Sequence, residues 1–147
     1  MKVAELPQLA GRTVGPTEWS ALSQDEVDRF ADLTHDRNPV HVDPAFAART
    51  PFGGTIAHGY FTVALLAPAA RELLSVEDAS LAINYGLDRL RFPSPLPVGK
   101  RFRTTGEVTS VDEIEGSGYQ VSMTLTVDAE DGGKPVAVAE GLYRYYA

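Results

Sequence analysis

The sequence has no cysteine among its 147 residues. Disulfide bridges, thiolate nucleophiles and cysteine-ligated zinc sites are therefore excluded. Basic residues are also scarce, because 13 Lys and Arg stand against 20 Asp and Glu and leave a formal net charge of −7. General binding to nucleic acid requires a basic surface, so we expect no nucleic-acid partner. An anionic ligand would need a local basic patch.

A long apolar run is missing as well. The most apolar stretch, Tyr60 to Ala70, has 11 residues, whereas a helix that spans a bilayer needs about 20. The first seven residues carry neither an apolar run nor a cleavage signal, so we expect no signal peptide and a cytoplasmic protein outside the membrane. The length and a hydrophobic content of 44% predict one globular domain over residues 1–147.

One helix with a defined start is predicted in the first third of the chain. Ser23 followed three residues later by Glu26 is a capping-box pattern. Apolar residues then recur at helical spacing and mark a buried face. These two signals predict a helix from Ser23 to Thr34.

The next part of the chain is predicted to be irregular and then helical. Two prolines favour an extended segment over residues 36–44, followed by a short helix over 45–49 with Pro44 at its first position. The apolar run predicts a core helix from about Ala57 to Leu74. Pro68 is expected to bend or end that helix.

The last part of the chain is predicted to be a sheet. Apolar and polar residues alternate from Tyr119 to Val127, a period of two that is typical of a half-buried strand. Asp131-Gly132-Gly133 is a hairpin signal. An antiparallel sheet covered by the apolar helix is an α+β fold. The predicted strands are 81–92, 101–112, 119–127 and 135–146.

Side chains capable of chemistry concentrate between residues 35 and 58, where all three histidines lie. Asp36 and His41 are five positions apart on a segment that Pro39 stiffens, which can direct both side chains into one cavity. A carboxylate beside an imidazole can hold a water molecule and move its proton near neutral pH. A turn aspartate and an unrelated loop histidine fit the same spacing, so spacing alone leaves both interpretations open.

The predicted start of the core helix is a second chemical feature. Free N–H groups and the helix dipole favour developing negative charge there. Gly59 would let a ligand carbonyl approach its N–H closely and form an oxyanion site, although close packing alone would also explain the glycine. His58 is expected to be a structural or helix-capping histidine rather than a base.

Other kinds of site have weaker support. Asp36, Asp43 and the histidines are acceptable metal ligands, but no pair has a familiar metal spacing, so we expect neither a metal nor another cofactor. A nucleophile elbow, a phosphate-cradling loop and a dinucleotide fingerprint are all missing from the sequence.

These motifs resemble those of the MaoC-like dehydratases, a family that includes the (R)-specific enoyl-CoA hydratases, or hydratase 2. The resemblance covers roughly Leu22 to the C-terminus and continues through Ala82-Ile83-Asn84-Tyr85-Gly86-Leu87, Arg91-Phe92-Pro93 and Pro97-Val98-Gly99. Its specific part is Asp36-Arg37-Asn38-Pro39-Val40-His41-Val42-Asp43, followed by Phe52-Gly53 and Ile56-Ala57-His58-Gly59.

The resemblance implies a hot-dog fold, in which a curved antiparallel sheet wraps a long central helix and two copies join their sheets as a homodimer. It implies reversible syn addition of water to a trans-2-enoyl thioester of coenzyme A or of a carrier protein, giving the (R)-3-hydroxyacyl thioester. By position, Asp36 and His41 would be the catalytic pair, and the Gly59 N–H would polarise the thioester carbonyl. The substrate-binding set would be Asn38, Gly54 and His58.

One position departs from the family pattern. The family often has glycine directly before the catalytic aspartate, and this sequence has His35. An imidazole there could crowd the site or tune the protonation of the pair.

Two other functions are compatible with a hot-dog fold. A hot-dog thioesterase often uses a carboxylate on the central helix, and residues 57–70 contain no Asp or Glu. A non-catalytic protein that binds acyl thioesters would be expected to lack the Asp36–His41 pair, which this sequence keeps.

Overall fold

Helical segments fill most of the first half of the chain and strands fill the second. The computed structural model describes residues 1–147. The helical segments are a 3₁₀ helix over Val3–Leu9, α1 over Gln24–Thr34, α2 over Pro39–Val42, α3 over Pro44–Ala47, α4 over Gly59–Ala64 and α5 over Leu66–Leu74. The strands are β1 over Thr13–Val14, β2 over Ser20–Ala21, β3 over Leu81–Arg91, β4 over Arg101–Ile114, β5 over Gly118–Ala129 and β6 over Ala137–Tyr146.

All six strands form one antiparallel sheet. Its order is β1-β4-β5-β6-β3, and β2 also pairs with β4. The four predicted strands are confirmed to within two residues at each end, and residues 130–136 connect β5 to β6 around the predicted turn. Strands β1 and β2 were not predicted, because two residues are too few to display a period.

The core lies between the inner face of the sheet and the apolar helices. Strands β5 and β6, and β4 as far as Val108, alternate between buried residues and more exposed ones. Leu66, Ala70 and Leu74 of α5 join the same buried cluster as the sheet, together with Val3 and Leu6 of the 3₁₀ helix. The predicted α+β class is therefore confirmed. No helix combines the length and apolar character that crossing a bilayer requires.

The start of α1 agrees with the sequence prediction. The Ser23 side chain accepts a hydrogen bond from the Glu26 N–H, and the Glu26 carboxylate accepts one from the Ser23 N–H. The helix ends at His35, which adopts a left-handed conformation with φ 61°. The chain therefore turns sharply just before Asp36.

The predicted extended conformation is wrong over residues 39–42, which form the single-turn helix α2. Asn38 caps this turn, since its side chain accepts a hydrogen bond from the Val40 N–H at 3.2 Å. Pro39 occupies the first helical position, where its missing N–H has no effect and its fixed φ suits the helix. The next turn, α3, begins at Pro44 as predicted.

The central helix starts later than predicted and is interrupted. The Ala57 N–H donates to the Leu96 carbonyl at 2.8 Å, so residue 57 belongs to the approach, and the helix begins at Gly59. The interruption falls at Leu65, between α4 and α5. Pro68 explains it, because a proline ring conflicts with the carbonyl four residues earlier, here that of Ala64.

Candidate active site

Hydrogen bonds hold both the side chain and the main chain of His41. Its Nδ1 lies 2.7 Å from the Ile56 carbonyl oxygen. A carbonyl oxygen only accepts, so Nδ1 carries the proton and Nε2 keeps its lone pair. The Gln24 side chain donates to the His41 carbonyl at 2.7 Å and accepts from the Thr55 hydroxyl at 2.6 Å. His41 is therefore fixed in the tautomer that can accept a proton at Nε2.

The Asp36 carboxylate lies close to His41. A carboxylate oxygen of Asp36 and a ring nitrogen of His41 are within 4.8 Å of each other, and no direct hydrogen bond joins the two side chains. One water molecule can bridge polar atoms up to about 5.6 Å apart, because each of its hydrogen bonds spans about 2.8 Å. The separation therefore suits a water molecule held by both groups.

Burial shifts the protonation of His41. Partial removal from water lowers the pKa of His41 from its ordinary value of 6.5. The bond to the Ile56 carbonyl raises this pKa, the neighbouring His58 lowers it and Asp36 raises it, but none of these outweighs burial. His41 is thus largely neutral at pH 7, as a proton acceptor must be.

A cavity of about 320 Å³ adjoins His41 and the start of α4. Gly59 lines it, and the Gly59 N–H makes no hydrogen bond within the protein. The Phe92 ring covers the glycine so closely that an added Cβ would lie 3.0 Å from two ring carbons. The remaining walls are mostly apolar: Phe52, Ile56, Ala57, Thr62, Pro93, Ser94, Pro95, Leu96 and Val136.

A larger groove of about 790 Å³ runs between α5 and the β3–β6 edge of the sheet, but it contains no histidine. Its two tyrosines, Tyr143 and Tyr145, stay protonated, because burial raises the pKa of each to about 12. Its charged side chains are Arg71 and Glu72. The smaller cavity is therefore the better candidate for chemistry.

Asp36, His41 and His58 together could be considered a metal site, since one ligand atom of each lies within 4.8 Å of the others. However, the two imidazole rings stack face to face, with centroids 3.9 Å apart and planes 29° apart. Imidazole lone pairs lie in the ring plane. Two nearly parallel planes cannot meet at one ion about 2.0–2.1 Å from both nitrogens, so this geometry does not fit a metal.

Comparison with known proteins gives the family. The MaoC like domain matches residues 5–131. The chain belongs to the MaoC-like family. It is 45% identical to the 3-hydroxyacyl-thioester dehydratase Z of Mycobacterium tuberculosis, over 99% of this chain and 96% of that protein. The predicted family resemblance is therefore confirmed.

Solved structures of (R)-hydratases share the fold. An (R)-hydratase from A. caviae involved in PHA biosynthesis superimposes with a TM-score of 0.74 at 27% identity, over 91% of this chain and 94% of that one. An (R)-hydratase from Pseudomonas aeruginosa gives a TM-score of 0.74 at 29% identity, over 93% and 81%. The predicted hot-dog fold is confirmed, and the names of these relatives agree with the predicted hydro-lyase class.

Not every residue predicted for the site lies at the cavity. His41 and Gly59 line it, and Asp36 stands beside His41. Asn38 and Gly54 are not among the lining residues, and Asn38 caps α2 instead. His58 is the N-cap residue of α4, but its side chain makes no capping bond and is only 2% exposed.

Three contributors to the site were not predicted. The Ile56 carbonyl and the Gln24 side chain both hold His41, and Phe92 forms a cavity wall. Phe92 lies within a stretch that resembles the family, but nothing in that stretch indicates its contact with Gly59. Gln24 is an ordinary first-turn helix residue, and its partners are distant in sequence, so no local signal marks it.

Proposed function

We propose that this protein is an (R)-specific enoyl-CoA hydratase, which adds water reversibly and in syn fashion to trans-2-enoyl thioesters. The observation that carries the proposal is the position of His41. Its Nδ1 is fixed by the Ile56 carbonyl so that Nε2 is free, one of its ring nitrogens lies within 4.8 Å of an Asp36 carboxylate oxygen, and it lines the same cavity as Gly59. The relatives whose names specify 3-hydroxyacyl-thioester dehydration or (R)-hydratase activity support the same reaction.

In the proposed reaction, Asp36 and His41 hold one water molecule. His41 Nε2 takes a proton from this water as its oxygen bonds to the β-carbon of the enoyl chain. The electron pair of the carbon–carbon double bond moves toward the thioester carbonyl and gives an enolate. The pair then returns a proton to the α-carbon on the same face, so hydroxyl and hydrogen add together and the enzyme recovers its initial state.

In the proposed reaction, the Gly59 N–H polarises the thioester carbonyl. The β-carbon becomes electrophilic only when the thioester carbonyl is polarised, and a fixed N–H donor at a helix start stabilises the negative charge that develops on that oxygen. The Gly59 N–H is the first donor of α4 and makes no hydrogen bond within the protein. A carbonyl placed against it would lie in the same cavity as His41.

The cavity chemistry suits an acyl thioester. Its walls are mostly apolar, which favours a hydrocarbon chain. The proposed steps need only the Asp36 and His41 side chains, the Gly59 N–H and one water molecule, without a cofactor. Coenzyme A and a carrier protein present the same reacting group. Of the basic residues nearest the loop that follows β3, Lys100 and Arg101 pair with acids, whereas Arg91 has no acidic partner and is the better candidate to meet a phosphate.

The proposed enzyme works as a homodimer joined through β3. This strand spans 11 residues, pairs only with β6 and leaves its other edge unpaired. A long edge that exposes large apolar side chains is prone to pair with another strand. A second copy would offer the same edge, which makes the contact self-complementary. We define the β3 edge surface as Leu81, Ile83, Tyr85 and Leu87, all of them exposed.

The deciding experiment measures hydration of trans-2-enoyl-CoA esters of several chain lengths by loss of enoyl absorbance, with chiral analysis of the product. Consumption of the enoyl ester with formation of the (R)-3-hydroxyacyl ester supports the proposal. Release of free thiol without hydration would identify a thioesterase instead, and binding without turnover would identify a non-catalytic binder. Parallel assays with carrier-protein thioesters decide between the two carriers. Residence in the cytoplasm stays a sequence-based prediction.

A further inference from the structure

His58 is a buried histidine with one polar contact and one unused nitrogen. Its Nε2 lies 2.9 Å from the main-chain carbonyl oxygen of Asp36, so Nε2 carries the proton and donates. Its Nδ1 is buried and has no partner. A buried polar atom without a partner destabilises the folded protein, so an apolar side chain would be more stable at this position unless the histidine has another role.

The His58 ring also packs against the His41 ring. The two rings stack with centroids 3.9 Å apart. On the α1 side, Phe30 packs against His58 with centroids 5.0 Å apart, and Phe30 itself stacks on Phe61 of α4 at 4.6 Å. His58 is therefore wedged between the proposed base and a rigid aromatic pair that joins two helices.

The Asp36 side chain lacks comparable support of its own. Its carboxylate accepts only a long bond of 3.4 Å from the Asn38 N–H, and its own N–H reaches the Thr34 hydroxyl at 3.4 Å. The Asp36 residue is exposed, directly after the left-handed turn at His35. The bond from His58 to the Asp36 carbonyl is consequently the shortest hydrogen bond that ties this residue to the rest of the protein.

We propose that His58 is a positioning residue for the hydration reaction, which aligns Asp36 through its carbonyl and His41 through the ring stack. This inference rests on the proposed function. His58 acts through the other two residues and not on the substrate, because its side chain is buried behind His41 and does not line the cavity. This differs from the substrate-binding role that the family resemblance implied.

Three substitutions distinguish the contribution of the His58 hydrogen bond from that of ring stacking. In His58→Gln, the amide nitrogen takes the place of Nε2 and can still donate to the Asp36 carbonyl. In His58→Asn, the amide nitrogen takes the place of Nδ1 and cannot reach it. In His58→Phe, a ring remains for stacking but the donor is lost. The glutamine and asparagine variants have the same chemistry and form the matched pair.

The expected result is a loss of kcat with little change in KM. A misplaced reacting group can cost about 100-fold in rate, so His58→Asn and His58→Phe should lower kcat by about that factor while KM stays within about 3-fold. His58→Gln should recover most of the kcat lost in His58→Asn. If kcat of the asparagine and phenylalanine variants equals that of the wild type, or if KM alone rises, His58 is not a positioning residue.

Two controls keep the test independent of folding and of the proposed function. Circular dichroism and thermal melting identify folded variants. Asp25→Asn changes an exposed residue of α1 that pairs with Arg29, and it should leave kcat unchanged. Long-range proton–nitrogen spectra of the imidazoles should show His58 protonated at Nε2 in the wild type, and the opposite tautomer would overturn the inference. A wild type with this tautomer but no hydratase activity would refute the proposed function, whereas an active wild type with unaffected variants would refute the role of His58 alone.

Discussion

The Nδ1–H of His41 donates to the main-chain carbonyl of Ile56 at 2.7 Å. Ile56 directly precedes the approach to α4, so the imidazole is anchored to the same segment that presents the Gly59 N–H. The base and the proposed oxyanion donor therefore keep their relative positions through one short stretch of main chain. Geometry of this kind reduces the reorganisation that the reaction requires.

Loss of either member of the Asp36–His41 pair should abolish hydration. Asp36→Asn keeps the shape but loses the negative charge, and His41→Ala removes the proton acceptor. General acid–base catalysis contributes about 10²–10⁴-fold, so kcat for crotonyl-CoA should fall at least by about the lower value. The measurement is the hydration rate at saturating substrate.

A surface carboxylate on α1 provides the control for that pair. Asp25 pairs with Arg29 on the exposed face of the helix, and Asp25→Asn should leave kcat unchanged. Melting temperatures should show all variants folded. Substantial turnover by Asp36→Asn or His41→Ala would refute the assignment of the pair.

The acid limb of the pH–rate profile should lie below pH 6.5. Burial lowers the pKa of His41 below that ordinary value, so the imidazole stays neutral to lower pH than a free histidine would. The midpoint of the acid limb in a plot of kcat/KM against pH should therefore lie below 6.5. An acid limb centred above 6.5 would contradict the assignment of His41 as the base.

The same shift makes a prediction about stability. Between its lowered pKa and about 6.5, His41 binds fewer protons in the folded than in the unfolded protein. The free energy of unfolding should therefore decrease as the pH falls through this window. Urea denaturation at pH 7 and pH 5.5 measures the decrease, which should be smaller in His41→Ala.

Gly59→Ala should impair catalysis without unfolding the protein. The new methyl group would lie 3.0 Å from the Phe92 ring, which forms a cavity wall and must move by a few tenths of an ångström. A rate loss of about 10-fold is expected, since a displacement of about 1 Å can cost about 100-fold. The double variant Gly59→Ala/Phe92→Leu removes the clash and should recover part of the loss. Full activity of Gly59→Ala would show that close approach to Gly59 is unnecessary.

A charge on the β3 edge surface should separate the proposed dimer. Ile83→Lys places an ammonium group on an apolar strand edge, which opposes pairing with a second copy. Sedimentation velocity should show a dimer for the wild type and a monomer for the variant. Leu33→Lys is the matched control, because Leu33 lies on α1, outside the β3 edge surface, and is 82% exposed. A monomeric wild type would refute the homodimer.

Local patterns predicted much of this structure, and long-range contacts account for most of what they missed. The capping box at Ser23 and the alternation in β5 depend on neighbours in sequence, and both were confirmed. The start of the central helix was misplaced, because Ala57 bonds to Leu96, almost 40 positions away. Helix α2 was missed for a local reason, since two prolines were taken to exclude a helix when one of them begins it.

The candidate site was predicted to a similar extent. The pairing of Asp36 with His41 could be expected from motif resemblance, and the structure places the two side chains close together. The contacts of Gln24 and Phe92 depend on how distant segments pack, which spacing does not encode. The burial of His58 could not be predicted from spacing either, because it depends on Phe30 of a different helix.

The main-chain conformation at residue 35 explains why this sequence departs from the family pattern there. His35 adopts φ 61°, a conformation that glycine takes freely and that histidine adopts more often than most residues. What this position selects is thus a change in chain direction rather than an imidazole. Sequences that carry glycine, asparagine or histidine before the aspartate are equivalent in this respect, and a search for distant members should accept all three.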